Sequence, residues 1–234
     1  MLSTRNTGSF AGIKVLITAG PTREAIDPVR FISNHSTGKM GYAIAEEFCD
    51  RGAEVTLISG PVQVITQNPA IRVVPVTSAA QMYLACCQHF AENDIIVLSA
   101  AVADYTPKYV ASQKIKKKDA QFSIELVKTV DIAAELGTRK QPGQRMIGFA
   151  LETENELENA TKKLYAKNLD MIVLNSLQDP GAGFGYDTNR ITILNRDGLI
   201  KSFELKDKKE VASDIVNSIE LPVLEQKEQY IFLS

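Results

Sequence analysis

Apolar runs of five or six residues recur along the chain, separated by longer amphipathic segments. The runs occupy residues 13–18, 54–59, 71–76, 94–99, 146–150 and 171–175. They lack the alternation of a half-buried strand, and such runs are typical of strands covered on both faces of a parallel sheet. They therefore predict the central strands of an α/β domain.

The segments between these runs have helical patterns. Helices are predicted over residues 41–51, 78–93, 156–168 and 208–219. Thr77 or Ser78 is a plausible N-cap for the second helix. Strands that alternate with helices predict a mostly parallel sheet with helices on both faces, and such sheets bind ligands at the carboxyl ends of their strands.

Two segments break the alternation. Residues 105–127 contain a lysine-rich stretch followed by alternating apolar positions, which predicts a β-arm that reaches over a site or a partner subunit. Residues 190–203 have alternating positions on either side of an Arg-Asp-Gly turn. This pattern predicts a C-terminal β-hairpin near the end of the sheet.

The composition is that of an ordinary globular protein. Of 234 residues, 44% are hydrophobic and 23% are charged, and the net charge is −2. So small a charge argues against a general binder of nucleic acid or membrane surfaces. The polar residues 1–12 lack the apolar stretch of a signal peptide. We expect residues 1–12 to form a disordered leader and residues 13–234 to form a single domain.

The cysteines and histidines exclude several chemistries. Cys49, Cys86 and Cys87 contain no Cys-x-x-Cys pair, so neither a disulfide framework nor a zinc site is predicted. Reduced cysteines in a cytoplasmic protein are the simplest interpretation. With only His35 and His89, a His-rich metal site is excluded. Any catalysis must depend on lysine, aspartate, asparagine and backbone groups.

The connection after the first strand is long enough to be functional. Residues 19–38 would join a strand to its helix, and loops of this length are usually functional or disordered. Its prolines and apolar residues argue against disorder. The loop leads into SNHSTGKMG (residues 33–41) at a predicted helix start, where backbone N–H groups and the helix dipole suit a phosphate. Gly38 and Gly41 would allow the backbone or a ligand to approach closely.

Two familiar phosphate-binding motifs are absent. Gly38-Lys39 resembles the end of a P-loop, but Met40 stands where Ser or Thr is required. The G-x-G-x-x-G pattern of dinucleotide-binding folds is missing, and the second strand ends without an acidic residue for a ribose. Taken alone, Asn34 could be a helix cap and Arg30 could be a surface ion-pair residue.

Small residues and an aspartate follow the fourth predicted strand. The segment Ala-Ala-Val-Ala-Asp-Tyr (residues 100–105) would permit close packing against a flat ligand such as a base. Asp104 could bind a metal or the polar groups of a ligand, or it could serve only as a turn or capping residue. Phe149, at the end of a later strand, could stack on a base or fill the core.

Lysines supply the remaining candidates. Residues 114–118 read Lys-Ile-Lys-Lys-Lys, which is either a solvated face or a mobile arm that brings positive charge to a triphosphate. Lys163 and Lys167 are four residues apart and share one helix face. They could bind phosphate or be two exposed lysines.

Together these motifs closely resemble the bacterial phosphopantothenoylcysteine synthetases. The matching segments are 17–41 (ITAGPTREAIDPVRFISNHSTGKMG), 99–108 (SAAVADYTPK), 114–117 (KIKK), 127–132 (VKTVDI), 148–153 (GFALET), 167–175 (KNLDMIVLN) and 185–194. The resemblance covers roughly residues 13–212. It implies a Rossmann-like fold with an arm used in dimerisation, so a homodimer is expected. Because about twelve residues precede the first strand, we expect no fused flavin-dependent decarboxylase.

The resemblance also implies roles for individual residues. Asn34, Lys114 and Arg30 correspond to catalytic positions, with Asn34 acting at an acyl intermediate and Lys114 in nucleotidyl transfer. The implied nucleotide site comprises Ser99, Ala100, Ala101, Asp104, Lys114, Val130, Asp131, Ile132, Ala133, Phe149, Lys163 and Lys167. Binding of phosphate or substrate is expected at Gly20, Ser36, Thr37, Gly38, Lys39 and Gly41, and Asp104 is the expected metal ligand.

The resemblance implies a two-step ligation in coenzyme A synthesis. The carboxylate of 4′-phosphopantothenate would react with CTP, aided by Mg²⁺, to give an acyl-cytidylate, and the amine of L-cysteine would then displace CMP. Use of CTP rather than ATP is inferred only from the bacterial-type motifs. An NAD(P)-dependent oxidoreductase and a non-catalytic nucleotide-sensing module are the two alternatives.

Overall fold

A computed structural model describes residues 9–116, 122–152, 154–176, 183 and 185–231, with the backbone alone described for residues 220–231. The strands are β1 (Lys14–Ala19), β2 (Arg23–Ala25), β3 (Phe31–Ser33), β4 (Glu54–Ser59), β5 (Arg72–Pro75), β6 (Ile95–Leu98), β7 (Tyr105–Pro107), β8 (Leu126–Lys128), β9 (Arg145–Glu152), β10 (Met171–Ser176), β11 (Thr188–Asn189), β12 (Ile191–Asn195), β13 (Ile200–Ser202) and β14 (Lys206–Asp207). The helices are α1 (Lys39–Asp50), α2 (Ala79–His89), α3 (Ile132–Thr138), α4 (Glu156–Ala166) and α5 (Lys208–Ile231).

Eight strands form one mostly parallel sheet in the order β13-β12-β10-β9-β6-β1-β4-β5. The strands from β10 to β5 run parallel, and β12 and β13 pair antiparallel at one edge. The six apolar runs of the sequence are the six parallel strands, so the predicted α/β fold class is confirmed. The β12–β13 pair confirms the predicted C-terminal hairpin.

Two apolar layers cover the two faces of the sheet. Val15 and Ile17 of β1 pack with α1 and α5, whereas Leu16 between them packs with α2, α3 and α4 on the other face. Successive side chains of a strand point to opposite faces. The continuous apolar runs are therefore explained by burial on both sides.

The helix boundaries follow local chemistry. Ser78 is the N-cap of α2: its side chain accepts a hydrogen bond from the Gln81 backbone N–H, and Gln81 caps in return. In α1, the glycine before Lys39 adopts a left-handed conformation and no side chain caps the helix. The helix therefore starts two residues before the predicted position at Gly41.

Three local elements differ from the sequence prediction. The long first loop contains a small hairpin, β2–β3, which was not predicted. Residues 132–138 form the helix α3, which was not predicted either. The arm does contain strand pairing, between β7 and β8, but β8 begins only at Leu126 and residues 122–125 form no strand. Residues 117–121 of the arm, including two lysines of the basic run, lie outside the described residues.

The amino-terminal boundary of the domain also differs. Phe10 is 1% exposed and packs edge-on against Phe48 with the ring centroids 5.1 Å apart. The predicted leader, residues 1–12, is therefore too long, because Phe10 belongs to the core. Residues 1–8 lie outside the described residues. Within the described chain, no helix is both long enough and apolar enough to cross a bilayer.

Candidate active site

A cavity of about 790 Å³ opens at the carboxyl ends of the parallel strands. The chain lays β4 and β5 on one side of β1 and then places β6, β9 and β10 on the other side. Loops leaving strands on opposite sides of such a reversal diverge, and the crevice between them is the usual ligand site of an open α/β sheet. The cavity occupies this crevice.

The start of α1 forms one wall of the cavity. Ser36, Thr37, Gly38, Lys39 and Gly41 all line it. Gly38 has φ +78°, and a Cβ on Gly41 would lie 2.6 Å from the Cβ of Ala19. Helix α1 therefore packs closely on β1 and directs its first N–H groups toward the cavity, an arrangement that favours an anion.

Asn34 lines the same wall and is not a helix cap. Its Nδ2 donates to the carbonyl oxygen of Ala101 at 2.9 Å. This bond connects the first loop to the segment after β6, 67 residues away. The capping alternative for Asn34 is thus wrong.

The segment after β6 forms the floor of the cavity. Ser99, Ala100 and Ala101 line it, and the Ala100 N–H donates to Thr18 Oγ1 at 3.2 Å. Asp104 lies further along and also lines the cavity. Its carboxylate makes no hydrogen bond or ion pair with another described residue, although its backbone carbonyl accepts from Thr129. The capping alternative therefore has no support, and the Asp104 carboxylate is free to bind a ligand.

A further part of the lining comes from residues 130–133, Phe149, Lys163 of α4 and Lys167. Val130, Asp131, Ile132 and Ala133 all line the cavity at the start of α3. Asp131 is the N-cap of α3, since its Oδ1 accepts from the Ala134 N–H at 3.1 Å. Phe149 also lines the cavity and packs by its buried part against the core. Both alternatives considered for Phe149 thus apply in part.

Lys163 of α4 and Lys167, the residue that follows α4, line the cavity and are paired with carboxylates. Lys163 Nζ lies 2.6 Å from Glu152 Oε1, and Lys167 Nζ lies 3.0 Å from Asp131 Oδ2. Burial alone would raise the pKa of Asp131, but the hydrogen bonds from Ala134 and Lys167 outweigh it and lower that pKa. Asp131 is therefore a carboxylate at neutral pH.

The structure adds a lysine that the sequence analysis missed. Lys208, the first residue of α5, is 7% exposed and lines the cavity beside Lys39. Its Nζ donates to the carbonyl oxygens of Tyr186 at 2.6 Å and Gly183 at 3.1 Å. Lys39 Nζ lies 2.5 Å from Asp187 Oδ1. In the sequence, Lys208 is the first of two adjacent lysines, and no local signal separates it from its neighbour.

Three of the predicted site residues do not line the cavity. Gly20 follows β1 and has φ +76°, and its carbonyl oxygen accepts a hydrogen bond from the Ala101 N–H. Gly20 therefore connects the end of β1 to the floor of the cavity. Lys114 is exposed and lies outside the cavity. Arg30 pairs with Asp27 through Nε and Nη2, which matches the ion-pair alternative.

Asp27 joins Arg30 to the arm that carries Lys114. The Asp27 side chain is fully buried, and its Oδ2 also accepts from the Ile115 N–H at 3.1 Å. Arg30 Nη2 donates to the Ile115 carbonyl at 2.9 Å. The Arg30 guanidinium holds the pKa of Asp27 well below its usual range. Both backbone polar groups of Ile115 therefore bond to the turn of the β2–β3 hairpin. These bonds position Lys114, the residue immediately before Ile115.

The described residues contain no cluster of three or more His, Cys, Asp or Glu side chains that could hold a metal by themselves. A Mg²⁺ ion needs no such cluster when substrate phosphates supply ligands, because one or two carboxylates then suffice. The uncommitted carboxylate of Asp104 in the cavity fits that requirement. The cavity as a whole combines cations and a helix N-terminus for polyphosphate, a floor of small residues and one free carboxylate.

Comparison with known proteins identifies relatives of this chain. The sequence profile described as "DNA/pantothenate metabolism flavoprotein C-terminal domain" matches residues 10–221. The coenzyme A biosynthesis bifunctional protein CoaBC of Bacillus subtilis (strain 168) is 50% identical over 208 residues, which is 89% of this chain and 51% of that protein. A protein named cysteine/cysteine sulfinic acid decarboxylase, from an unknown prokaryotic organism, is 55% identical over 89% of this chain and 58% of its own length.

The chain thus spans little more than half the length of these curated relatives. One solved structure that matches is the crystal structure of the C-terminal domain of CoaBC, with 45% identity and a TM-score of 0.79. The match covers 93% of this chain and 99% of that one, so the region that this chain shares with CoaBC is its C-terminal domain.

Proposed function

Because the chain belongs to the family of the DNA/pantothenate metabolism flavoprotein C-terminal domain, we propose that it is a phosphopantothenate–cysteine ligase of coenzyme A biosynthesis. One observation carries the proposal. Nearly all residues that the motifs implicate in nucleotide and substrate binding, although far apart in sequence, line a single cavity at the topological reversal of the sheet.

A ligase is needed because a carboxylate does not react with an amine. In the first step, a carboxylate oxygen of 4′-phosphopantothenate attacks the α-phosphorus of CTP. The new O–P bond gives an acyl-cytidylate, and the bond to pyrophosphate breaks. Lys39 and the N–H groups at the start of α1 bind phosphate, and Lys114, which lies outside the cavity, is brought to it by the arm and balances the charge that develops in the transition state.

In the second step, the cysteine amine attacks the acyl carbon. The amide bond forms, the anhydride C–O bond between the acyl carbon and CMP breaks, and the amine proton passes to solvent or to the departing phosphate. Asn34 stands beside the small-residue floor, with its amide 2.9 Å from the Ala101 carbonyl. In that position it donates a hydrogen bond to the acyl group and orients it for attack.

The cytidine end of CTP binds between Phe149 and the start of α3. Phe149 supplies a flat apolar surface, and the segment from Val130 to Ala133 together with Lys163 and Lys167 supplies polar contacts. Asp104 would hold a Mg²⁺ ion that accompanies the nucleotide, and the ion would neutralise phosphate charge.

A homodimer is part of the proposal. The β2–β3 hairpin and the arm expose apolar side chains, among them Val29, Phe31, Tyr109 and Val127, at 39–75% exposure. Exposed apolar surface of this kind is typical of a subunit interface. The arm would then contact the partner subunit as well as the site.

The reaction is tested with purified protein, 4′-phosphopantothenate, Mg²⁺ and CTP, with and without L-cysteine, with ATP in parallel tubes. We expect pyrophosphate release with CTP, and CMP plus the cysteine amide once cysteine is present. Nucleotide binding without pyrophosphate release would favour the non-catalytic sensing module. Binding of a nicotinamide cofactor without any effect of CTP would favour the oxidoreductase.

A further inference from the structure

Lys208 is a buried cation on the wall of the cavity. The residue is 7% exposed, and its backbone N–H donates to the Asp187 carbonyl at 2.9 Å where α5 begins. The first turn of α5 therefore fixes the base of the side chain. The ammonium group lines the cavity on the same side as Lys39.

The hydrogen-bonding partners of Lys208 leave its charge uncompensated. Its Nζ donates to two carbonyl oxygens, those of Tyr186 and Gly183. An ammonium group has three donors, so one remains. Among the residues that the structure describes, no carboxylate lies within 4.0 Å of this Nζ. A buried charge without a counter-ion is costly unless a ligand supplies one.

The neighbouring charges increase this cost. Burial lowers the pKa of Lys208, and the positive charge of Lys39 lowers it further. Asp187 and Asp207 offset part of this effect, but Asp187 is already paired with Lys39 at 2.5 Å and Asp207 Oδ1 accepts from the Lys209 N–H at 2.9 Å. Among the described residues, only Lys39 of these two lysines forms an ion pair, so Lys208 remains a cation without one near the first N–H groups of α1.

We propose that Lys208 binds the terminal phosphates of the nucleoside triphosphate and the pyrophosphate that the reaction releases. This inference rests on the proposed function for the identity of the nucleotide. The site chemistry favours a polyphosphate over a nucleoside, because Lys39, Lys208 and the start of α1 line the same part of the cavity. The expected base site includes the start of α3 and Lys167 at the end of α4, and those helices cover the opposite face of the sheet from α1 and α5.

The test compares Lys208→Met with Lys209→Met by titration calorimetry. Both variants remove one positive charge, but Lys209 is exposed and next in sequence, so it controls for the overall charge. The ligands are CTP, CMP and pyrophosphate, each with Mg²⁺. A hydrogen bond to a charged group contributes about 10- to 150-fold in affinity. We expect Lys208→Met to weaken the binding of CTP and pyrophosphate by that factor and the binding of CMP by less than about threefold.

The proposal is overturned if Lys208→Met weakens the binding of CTP and CMP equally. It is also overturned if Lys209→Met weakens pyrophosphate binding as much as Lys208→Met does. Lys208→Arg keeps the charge and should retain most of the pyrophosphate affinity, whereas a purely structural lysine would show no such rescue. If Lys208→Met does not fold, Lys208→Gln replaces it, since its amide can still donate to the two carbonyls. If the wild-type protein makes no amide, the proposed ligase activity is wrong. If Lys208→Met still selectively loses pyrophosphate binding in that case, the phosphate site at Lys208 is supported independently of the ligase activity.

Discussion

The substitution Gly41→Ala tests how closely α1 approaches β1. Gly41 lies in α1 without a positive φ, and alanine in a helix interior is normally favoured over glycine by about 0.5–1 kcal/mol. Here the added Cβ would lie 2.6 Å from the Ala19 Cβ and 3.1 Å from the Ala19 Cα. Carbon atoms prefer separations of about 3.5–4.0 Å. The helix must therefore move by roughly 1 Å, measured against that contact distance.

The overpacking should outweigh the helix propensity. Extra methyl groups in a packed core cost about 1–3 kcal/mol, so we expect a net loss of about 1–2 kcal/mol in the free energy of unfolding. Urea unfolding should show a lower midpoint with an unchanged slope. The displaced start of α1 should also weaken CTP binding, because Lys39 moves with it.

Two control variants separate packing from other effects. Gly185→Ala meets no atom within 4 Å and should leave stability unchanged or raise it by up to about 1 kcal/mol. The double variant Ala19→Gly/Gly41→Ala removes the 2.6 Å contact and should recover about 1 kcal/mol relative to the sum of the single variants. A Gly41→Ala protein as stable as wild type would refute the close approach.

Three further predictions concern the α2 cap, the buried Asp27 and the lysine of the arm. Ser78→Ala should lower the free energy of unfolding by about 1 kcal/mol, because the Gln81 N–H loses its acceptor; an unchanged urea midpoint would contradict this. The lowered pKa of Asp27 means that its stabilising effect is complete above its ordinary pKa of about 4 and is lost as the pH falls below that value. Asp27→Asn should therefore flatten the decline of stability between roughly pH 4 and pH 2, whereas parallel pH curves would show that Asp27 does not cause it. Lys114→Gln should largely abolish pyrophosphate release with CTP while leaving the urea midpoint unchanged; normal turnover would remove Lys114 from the mechanism.

The local elements were predictable because their signals are local. Each central strand is an uninterrupted apolar run, since residues such as Leu16 and Ile17 are buried on opposite faces. The cap of α2 needed only Ser78 and a glutamine three residues later. The β2–β3 hairpin escaped prediction because its strands are three residues each, too short for a periodic pattern.

The sequence by itself determined the fold class, the six central strands to within two residues at each end and, through its motifs, the residues that gather at the cavity. Only the tertiary structure decided which side chains meet there, which of them form ion pairs and which are buried. The pairing of Lys39 with Asp187 spans 148 residues, and that of Asp27 with Ile115 spans 88. Such contacts depend on the packing of distant elements, which no local spacing encodes. Lys208 and Lys209 are alike as neighbours in sequence, and one is buried as a cation only because α5 begins at the edge of the cavity.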